Sequence, residues 1–342
     1  MPVNDLGDPI IQAQDLTKSF RVRARKVGLV EKMRGFASAG DEVTAVAGVS
    51  FAVPRGEIVG YIGPNGAGKS TTIKMLTGIL VPSAGEATVD GIVPWQQRKT
   101  LARRIGVVFG QRTQLWWDLP LIDSLELLRH VYRVPADRFR HMLATATELL
   151  DLDEFLGTPV RQLSLGQRMR GDLAAALLHE PPILFLDEPT IGLDVVAKAR
   201  IRDFLQTINR EQQVTIVLTT HDLADIEHLC HRIIVIDHGQ VLFDGPLGFL
   251  RDRYGTTRRL IVDFEDDVPP LDDITSGDIQ LIERTGPRVV LAFDRTAHSV
   301  TQLISRLSGL APLRDISIEE AAIEEIIRQL YEGQLVLDGT DR

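Results

Sequence analysis

Apolar positions along this chain of 342 residues recur in two rhythms, short β-branched runs and longer stretches spaced by three and four. Their alternation predicts strands separated by helices. Ile10 to Phe20 and Val43 to Val53 read as strands, the second running into a turn at Pro54, Arg55 and Gly56. From Ile58 the chain reads as an apolar strand, a glycine loop and a helix ending near Gly78. A turn at Pro82 to Gly85 leads to a short strand, and Ile105 to Gly110 suits a buried one. Leu121 to Tyr132 and Arg138 to Leu150 carry helical spacing, so about 112–178 reads as a helical lobe set into a strand-rich domain. The last helix of that lobe opens at LSLGQ, Leu163 to Gln167, runs to about His179 and is stopped by Pro181 and Pro182.

Ile183 to Leu186 is a short apolar strand ending in Asp187 and Glu188, and Val214 to Thr219 is another with His221 just beyond it. Ile233 to Ile236 and Val241 to Phe243 form a hairpin turned at His238 and Gly239. Strands that end in polar residues between helices are the pattern of a parallel sheet with its ligand at the strand C-termini. After a helix from about Pro246 to Tyr254 the composition shifts. Leu260 to Phe264 and Val289 to Phe293 alternate like strands, and Val300 to Leu307 and Ile323 to Leu330 like amphipathic helices. The expected organisation is therefore a domain over 1–254 and a small α+β unit over 255–342.

The glycine loop brings in chemistry. Gly63 to Ser70 fits G-x-x-x-x-G-K-[ST] at every fixed position, between a strand and a helix, which is the context that pattern needs. Gly63, Gly66 and Gly68 let the backbone fold its N–H groups around an anion, and the helix N-terminus adds free amides and a positive dipole end. A triphosphate is favoured there, with Lys69 reaching the β- and γ-phosphates and Ser70 offering its hydroxyl to Mg²⁺. Gln111, Asp187, Glu188 and His221 fall at strand ends on the same side and can converge on one nucleotide.

Composition narrows the partners. With 38 Lys and Arg against 47 Asp and Glu, the net charge of −9 gives no general attraction to nucleic acid, and none is expected as a partner. Cys230 is the sole cysteine, so no intrachain disulfide can form, and it reads as a small buried residue on a helix. MPVNDLGDPI has no apolar core, so no secretory signal is expected. No stretch reaches the ~18 to 20 continuous apolar residues of a membrane span, so work at a membrane would need another chain to cross it. Arg21 to Arg34 holds six basic residues against Glu31. It reads either as a solvated loop or as a short amphipathic element resting on anionic lipid or a membrane partner.

With the phosphate loop, LSLGQ and ILFLDEP in that order, the sequence resembles the ATP-binding subunits of ATP-binding cassette transporters over Ile10 to Leu250. VVFGQRTQLWWDLP and LSLGQRMRGDLAAALLHEPPILFLDEPTIGLDVVAK are most similar to a bacterial type-2 exporter branch that includes viologen-exporter-like ATPases. The resemblance implies an α/β P-loop NTPase cassette with a parallel-sheet core, antiparallel strands and an inserted helical lobe, followed by an accessory or regulatory α+β domain. Gly63, Pro64, Asn65, Gly66, Ala67, Gly68, Lys69, Ser70 and Thr71 would hold ATP. Ser70, Gln111 and Asp187 would hold Mg²⁺, Glu188 would be the general base, and His221 would touch the γ-phosphate, with Gln111 sensing the attacking water. Phe20 is the best match for the aromatic that stacks on adenine, with Phe36 the alternative.

Ser164, Gly166 and Gln167 would complete the site from the opposite protomer, and Asp194 would link the two sites. Leu165 departs from the family's commonest signature, which has glycine there. The helix opened by LSLGQ is itself an anion site, and Ser164 is suited to cap it. One copy of each half-site per chain makes a head-to-tail homodimer, or a heterodimer with a second ATP-binding subunit. The implied partner is an integral-membrane permease, docked on the lobe near Trp116 and Trp117, and the implied place is the cytoplasmic face of the cell membrane. The rival readings are a regulatory ATPase of the same superfamily and a nucleotide-binding scaffold.

Overall fold

The computed structural model describes residues 9–22, 41–110, 112–255, 257–275, 278–320 and 323–333, which fall into two compact units, one up to Asp244 and one from Gly245. The first unit begins with two long strands, β1 (Ile11–Val22) and β2 (Asp41–Val53), then β3 (Ile58–Ile62), α1 (Lys69–Leu76), β4 (Ala84–Val89), α2 (Arg98–Leu101) and β5 (Ile105–Phe109). The lobe helices α3 (Leu121–Tyr132), α4 (Ala136–Leu150) and α5 (Leu165–Leu177) follow. The chain then returns through β6 (Ile183–Asp187), α6 (Val195–Gln212), β7 (Thr215–Thr219), α7 (Leu223–Leu229), β8 (Arg232–Asp237) and β9 (Gln240–Pro246).

Two sheets share this unit. One is antiparallel, in the order β2-β1-β4; the other runs β5-β6-β7-β3-β8-β9, with parallel pairing from β5 through to β8. Every residue of β3 and β7 is buried, which is why these strands read as unbroken apolar runs instead of alternating ones. The core joins both sheets to α1 through Ile11, Leu16, Val49, Phe51, Tyr61, Ile73, Leu76 and Phe185. Tyr61, fully buried, sets its ring 5.6 Å from that of Phe51 and donates its hydroxyl to Thr72 on α1 at 3.2 Å. That bond anchors the helix that follows the glycine loop. The β8–β9 hairpin turns on His238 and Gly239 at φ 46° and 76°, the left-handed pair a two-residue hairpin requires.

Three expectations are corrected. Gly85 is not the end of a turn but lies in β4, where a Cβ would sit 2.2 Å from the carbonyl oxygen of Asp15; β1 is irregular there, with a register shift between Gln14 and Thr17. The helix opened by LSLGQ ends at Leu177, short of His179. Cys230 is buried as expected but lies just past α7 in extended backbone, and burial pushes its thiol pKa up.

The second unit holds α8 (Leu247–Tyr254), β10 (Thr257–Phe264), β11 (Gln280–Thr285), β12 (Arg288–Asp294), α9 (Val300–Leu310), β13 (Leu313–Glu319) and α10 (Ile323–Tyr331). Its antiparallel sheet runs β11-β12-β10-β13, and Leu260, Val262, Phe264, Val289, Leu291 and Phe293 pack with Leu303 and Leu307 of α9. The helix α8, read from sequence as the end of the first domain, groups with this unit.

Candidate functional site

Where β3 hands over to α1 the chain has no room for a side chain at two of its glycines. A Cβ on Gly63 would lie 2.4 Å from the carbonyl oxygen of Ile236, and one on Gly68 would lie 2.5 Å from that of Ala45, at φ 106°. Glycine is required at both places, and the loop closes over the end of the sheet. Lys69 is 7% exposed and donates to the carbonyls of Gly63 at 2.6 Å and Pro64 at 3.2 Å. Burial lowers its pKa, opposed by the carboxylates of Glu188 and Asp187.

Strand register brings the acidic groups to this loop. Phe109, Asp187 and Thr219 sit side by side at the ends of β5, β6 and β7. Asp187 Oδ1 accepts from Ser70 Oγ at 3.1 Å and from Thr219 Oγ1 at 2.6 Å, so α1 and two strands meet on one carboxylate oxygen. The next residue, Glu188, has φ 61°, a left-handed conformation that residues with a side chain seldom take. Its amide donates to Thr219 O at 2.9 Å, and its Oε2 lies 2.5 Å from His221 Nδ1.

A cleft of about 360 Å³ is lined by Ser70, Lys74, Ile79, Phe109, Gly110, Arg112, Asp187 and Glu188. A second, of about 320 Å³, is lined by Ala45, Asn65, Gly66, Gly68, Lys69, Ser70, Thr71 and Glu188. Ser70 and Glu188 belong to both. Gln111 lies outside the described residues; its sequence neighbours Gly110 and Arg112 line the first cleft. Phe36 and the basic residues 23–34 also lie outside them.

The structure keeps the other predicted residues apart from these clefts. Ser164 caps α5 by accepting from the Gln167 amide at 3.2 Å while its own amide donates to Gln167 Oε1 at 2.9 Å. This reciprocal pair orients the helix mouth and uses the Gln167 side chain in doing so. Asp194 caps α6 by accepting from Ala197 N at 2.8 Å. Ser164, Gly166, Gln167 and Asp194 line neither cleft. Phe20 is exposed on β1 opposite Val43, with the Lys18 ammonium 5.4 Å from its ring centroid, and it too lines neither cleft. Sequence reading missed Thr219, Arg112 and Ala45. Only the first had a signal, as a hydroxyl at the end of an apolar strand beside the one bearing Asp187.

What these groups can do follows from their type. Ser70 and Asp187 present hard oxygen donors close together, a set that suits Mg²⁺ held jointly with phosphate oxygens. Among the described residues no cluster of three His, Cys, Asp or Glu could cage a metal without a substrate.

Residues 46–191 match the family model described as ABC transporter. The chain is 33% identical over 221 residues to the ABC transporter ATP-binding protein NatA of Bacillus subtilis, covering 65% of this chain and 89% of that one. It is 31% identical over 319 residues to the methionine import ATP-binding protein MetN of Ralstonia nicotianae, covering 91% and 90%. The Nod factor export ATP-binding protein I of the same organism is 34% identical over 247 residues, covering 72% and 75%. Among solved structures, the dimeric post-hydrolysis state of the ATP-binding cassette MJ0796 bound to ADP and Pi aligns with a TM-score of 0.58 and 28% identity, over 69% of this chain and 98% of that one. A glycine loop that buries its lysine within the electrostatic reach of two carboxylates, on a chain with these relatives, places the protein among the ATP-binding subunits of ABC transporters, a family of ATPases.

Proposed function

We propose that this subunit hydrolyses Mg-ATP at a site shared by two chains and so drives export through a separate membrane permease. The observation that carries the shared site is a division of labour. Lys69, Ser70, Asp187 and Glu188 line one pair of clefts, with His221 against the Glu188 carboxylate, while the capped helix mouth at Ser164 and Gly166 lines neither. A capped mouth with free amides is an anion site in want of an anion, and a second copy can supply one. Val195 and Val196, 83% and 65% exposed beside Asp194, give that second copy an apolar surface to cover.

Within the site, the Lys69 ammonium exchanges its loop carbonyls for phosphate oxygens. Ser70 and Asp187 would hold Mg²⁺, which supplies charge neutralisation at the phosphates when bound. Glu188 accepts the proton of the attacking water, and His221 holds its carboxylate in place. Phosphoryl transfer asks little more of a protein than such positioning and charge. Phe20 and Val43 would offer the base an apolar face. The permease would dock on the lobe, where Trp116 and Trp117 are 41% and 51% exposed, placing the subunit at the cytoplasmic face of the membrane. Among the described residues no helix is long and apolar enough to cross a membrane. The C-terminal unit is proposed to be regulatory.

Export rests on the similarity of the stretch VVFGQRTQLWWDLP to the type-2 exporter branch. Import is the second reading, favoured by the match to a methionine importer that extends over both units. The test of the site is Glu188→Gln, which keeps shape and metal ligand but removes the base. Hydrolysis should fall by ~10²- to 10⁴-fold while ATP binding survives and a nucleotide-held dimer accumulates on size exclusion. A Glu188→Gln protein that stays monomeric with ATP bound would sink the shared site.

A further inference from the structure

Asp225 has no exposed surface at all, yet it is a carboxylate. On α7, its Oδ2 accepts from the hydroxyl of Thr190, and its Oδ1 lies 2.6 Å from Arg202 Nε and 2.5 Å from Arg202 Nη2 on α6. A charge with no solvent is costly unless paired, and an apolar residue of like volume would fill the same space without that cost. What the carboxylate adds is direction, because its two oxygens point at two different elements.

The turn it grips and the helix it stands on each follow closely on a reacting group. Thr190, itself buried, lies two residues past Glu188 in the turn that leads to Asp194. Asp225 lies four residues past His221. Between them, Asp222 receives its own anchors: its amide donates to Thr220 Oγ1 at 3.0 Å, its carboxylate caps Ala224 N at 3.1 Å, and Lys198 of α6 pairs with it. Glu188 meanwhile stands at φ 61°, a strained conformation that persists only where the surroundings hold it. It is tethered by the hydrogen bond from its amide to Thr219 O, by a long one from Ile191 N to its own carbonyl at 3.4 Å, and, two residues on, by the Thr190 hydroxyl in the grip of Asp225.

We infer that Asp225 is a positioning residue for hydrolysis, which fixes the Glu188–His221 geometry by binding the turn after Glu188 to the helix after His221 through the Thr190 hydroxyl. This rests on the reading of Glu188 as the base. Release of Thr190 lets Glu188 relax out of the left-handed region and carries its carboxylate away from His221 and from the water it must orient.

The experiment compares the full-length parent with Thr190→Val, Thr190→Ser, Asp225→Asn, the double variant Thr190→Val/Asp225→Asn, and Glu188→Gln as reference. Steady-state ATPase activity, ATP affinity and melting temperature are measured for each. Misplacing a reacting group by about 1 Å costs ~10²-fold, so Thr190→Val should lose about that in kcat with ATP affinity unchanged. Thr190→Ser, which keeps the hydroxyl, should restore the rate, and the double variant should be no slower than Asp225→Asn. Overturning results are a parental kcat in Thr190→Val, a Thr190→Ser as slow as Thr190→Val, or a rate loss that only follows the fraction unfolded. If Asp225→Asn does not fold, the Val and Ser pair decides. A parental rate in Glu188→Gln would strike the proposed base itself, whereas a slow Glu188→Gln beside a parental Thr190→Val overturns only the tether.

Discussion

Asp172 offers a test in which charge, burial and pH can be separated. It lies on α5, 4% exposed, and accepts from the Thr113 hydroxyl at 2.9 Å and the Gln114 amide at 3.0 Å, both on Oδ1. Gln114 Nε2 answers with a bond to the Asp172 carbonyl at 3.1 Å, so the helix headed by Ser164 is stapled to the segment just after Gln111. Burial pushes the Asp172 carboxyl up from 3.8 to about 6, against the pull of those two hydrogen bonds and of nearby Arg168. Because the folded value exceeds the unfolded one, the folded state holds the proton more tightly, and stability falls as pH rises from about 4 to about 6.

The gap from 3.8 to about 6, at about 1.4 kcal/mol per pH unit, comes to about 3 kcal/mol at pH 7.5 and about half that at pH 5. Asp172→Asn keeps the oxygen that takes both bonds and removes the charge. It should therefore stabilise the first unit by up to about 3 kcal/mol at pH 7.5, which for a domain of this size is a rise of about 6 to 12 °C in melting temperature. Thermal melts of both proteins at pH 7.5 and pH 5 measure the difference. A variant that melts at or below the parent at pH 7.5, or whose advantage is no smaller at pH 5, refutes the reasoning. An ATPase rate that drops while stability rises would mark the charge as stability given up for function.

Lys69→Ala removes the one ammonium buried in the loop, so ATP affinity, dimer formation and turnover should fall together, in contrast to Glu188→Gln, as equilibrium binding and size exclusion can check. Val195→Asp with Val196→Asp puts charge on the apolar surface that the proposed second copy would cover and should weaken the ATP-dependent dimer of Glu188→Gln while leaving monomer melting within about 0.5 kcal/mol, as for an exposed substitution. Trp116→Ala with Trp117→Ala should lower capture by permease-containing membranes with little change in ATPase activity of the free subunit; unchanged capture would remove the lobe as the dock.

The catalytic strands were legible in sequence for a physical reason. β3, β6 and β7 are covered on both faces, so each is an apolar run that stops where polar residues meet the ligand edge. Their hydrogen-bonded register, which alone sets Thr219 beside Asp187, depends on long-range pairing and has no local trace. β11 went unread because it is exposed at every residue and its sequence does not alternate, whereas β13 carries only the short alternation Asp315 to Glu319 and was passed over. α6 went unread although its signal is local: Ile201, Phe204, Leu205 and Ile208, its buried residues, fall at the i, i+3, i+4 and i+7 spacing of an amphipathic helix. The left-handed Glu188 and the Asp225 tether were equally invisible, since neither a backbone angle nor a buried ion pair follows from residue type.

The departure at Leu165 shows how a signature can lose a glycine and keep its geometry. Leu165 is the first helical residue of α5, a position whose backbone needs no special angle, so glycine is not demanded there. The space for its side chain comes from the opposite loop: Leu165 Cδ2 stands 3.0 Å from where a Cβ on Gly192 would be, and Gly192, at φ 71°, has none. A Cβ on Gly166 would meet Ala197 of α6 at 3.4 Å, an ordinary contact, so space alone does not demand glycine there. The leucine thus packs the mouth of α5 onto the turn between Glu188 and Asp194, the same turn that Asp225 holds at Thr190. Apolar contact on one side and a hydroxyl tether on the other fix that turn between the mouth of α5, the proposed meeting point with a partner, and Glu188, the proposed base. A displacement of α5 on dimer closure would therefore reach Glu188 through Leu165 and Gly192, a route that a glycine at 165 would lack.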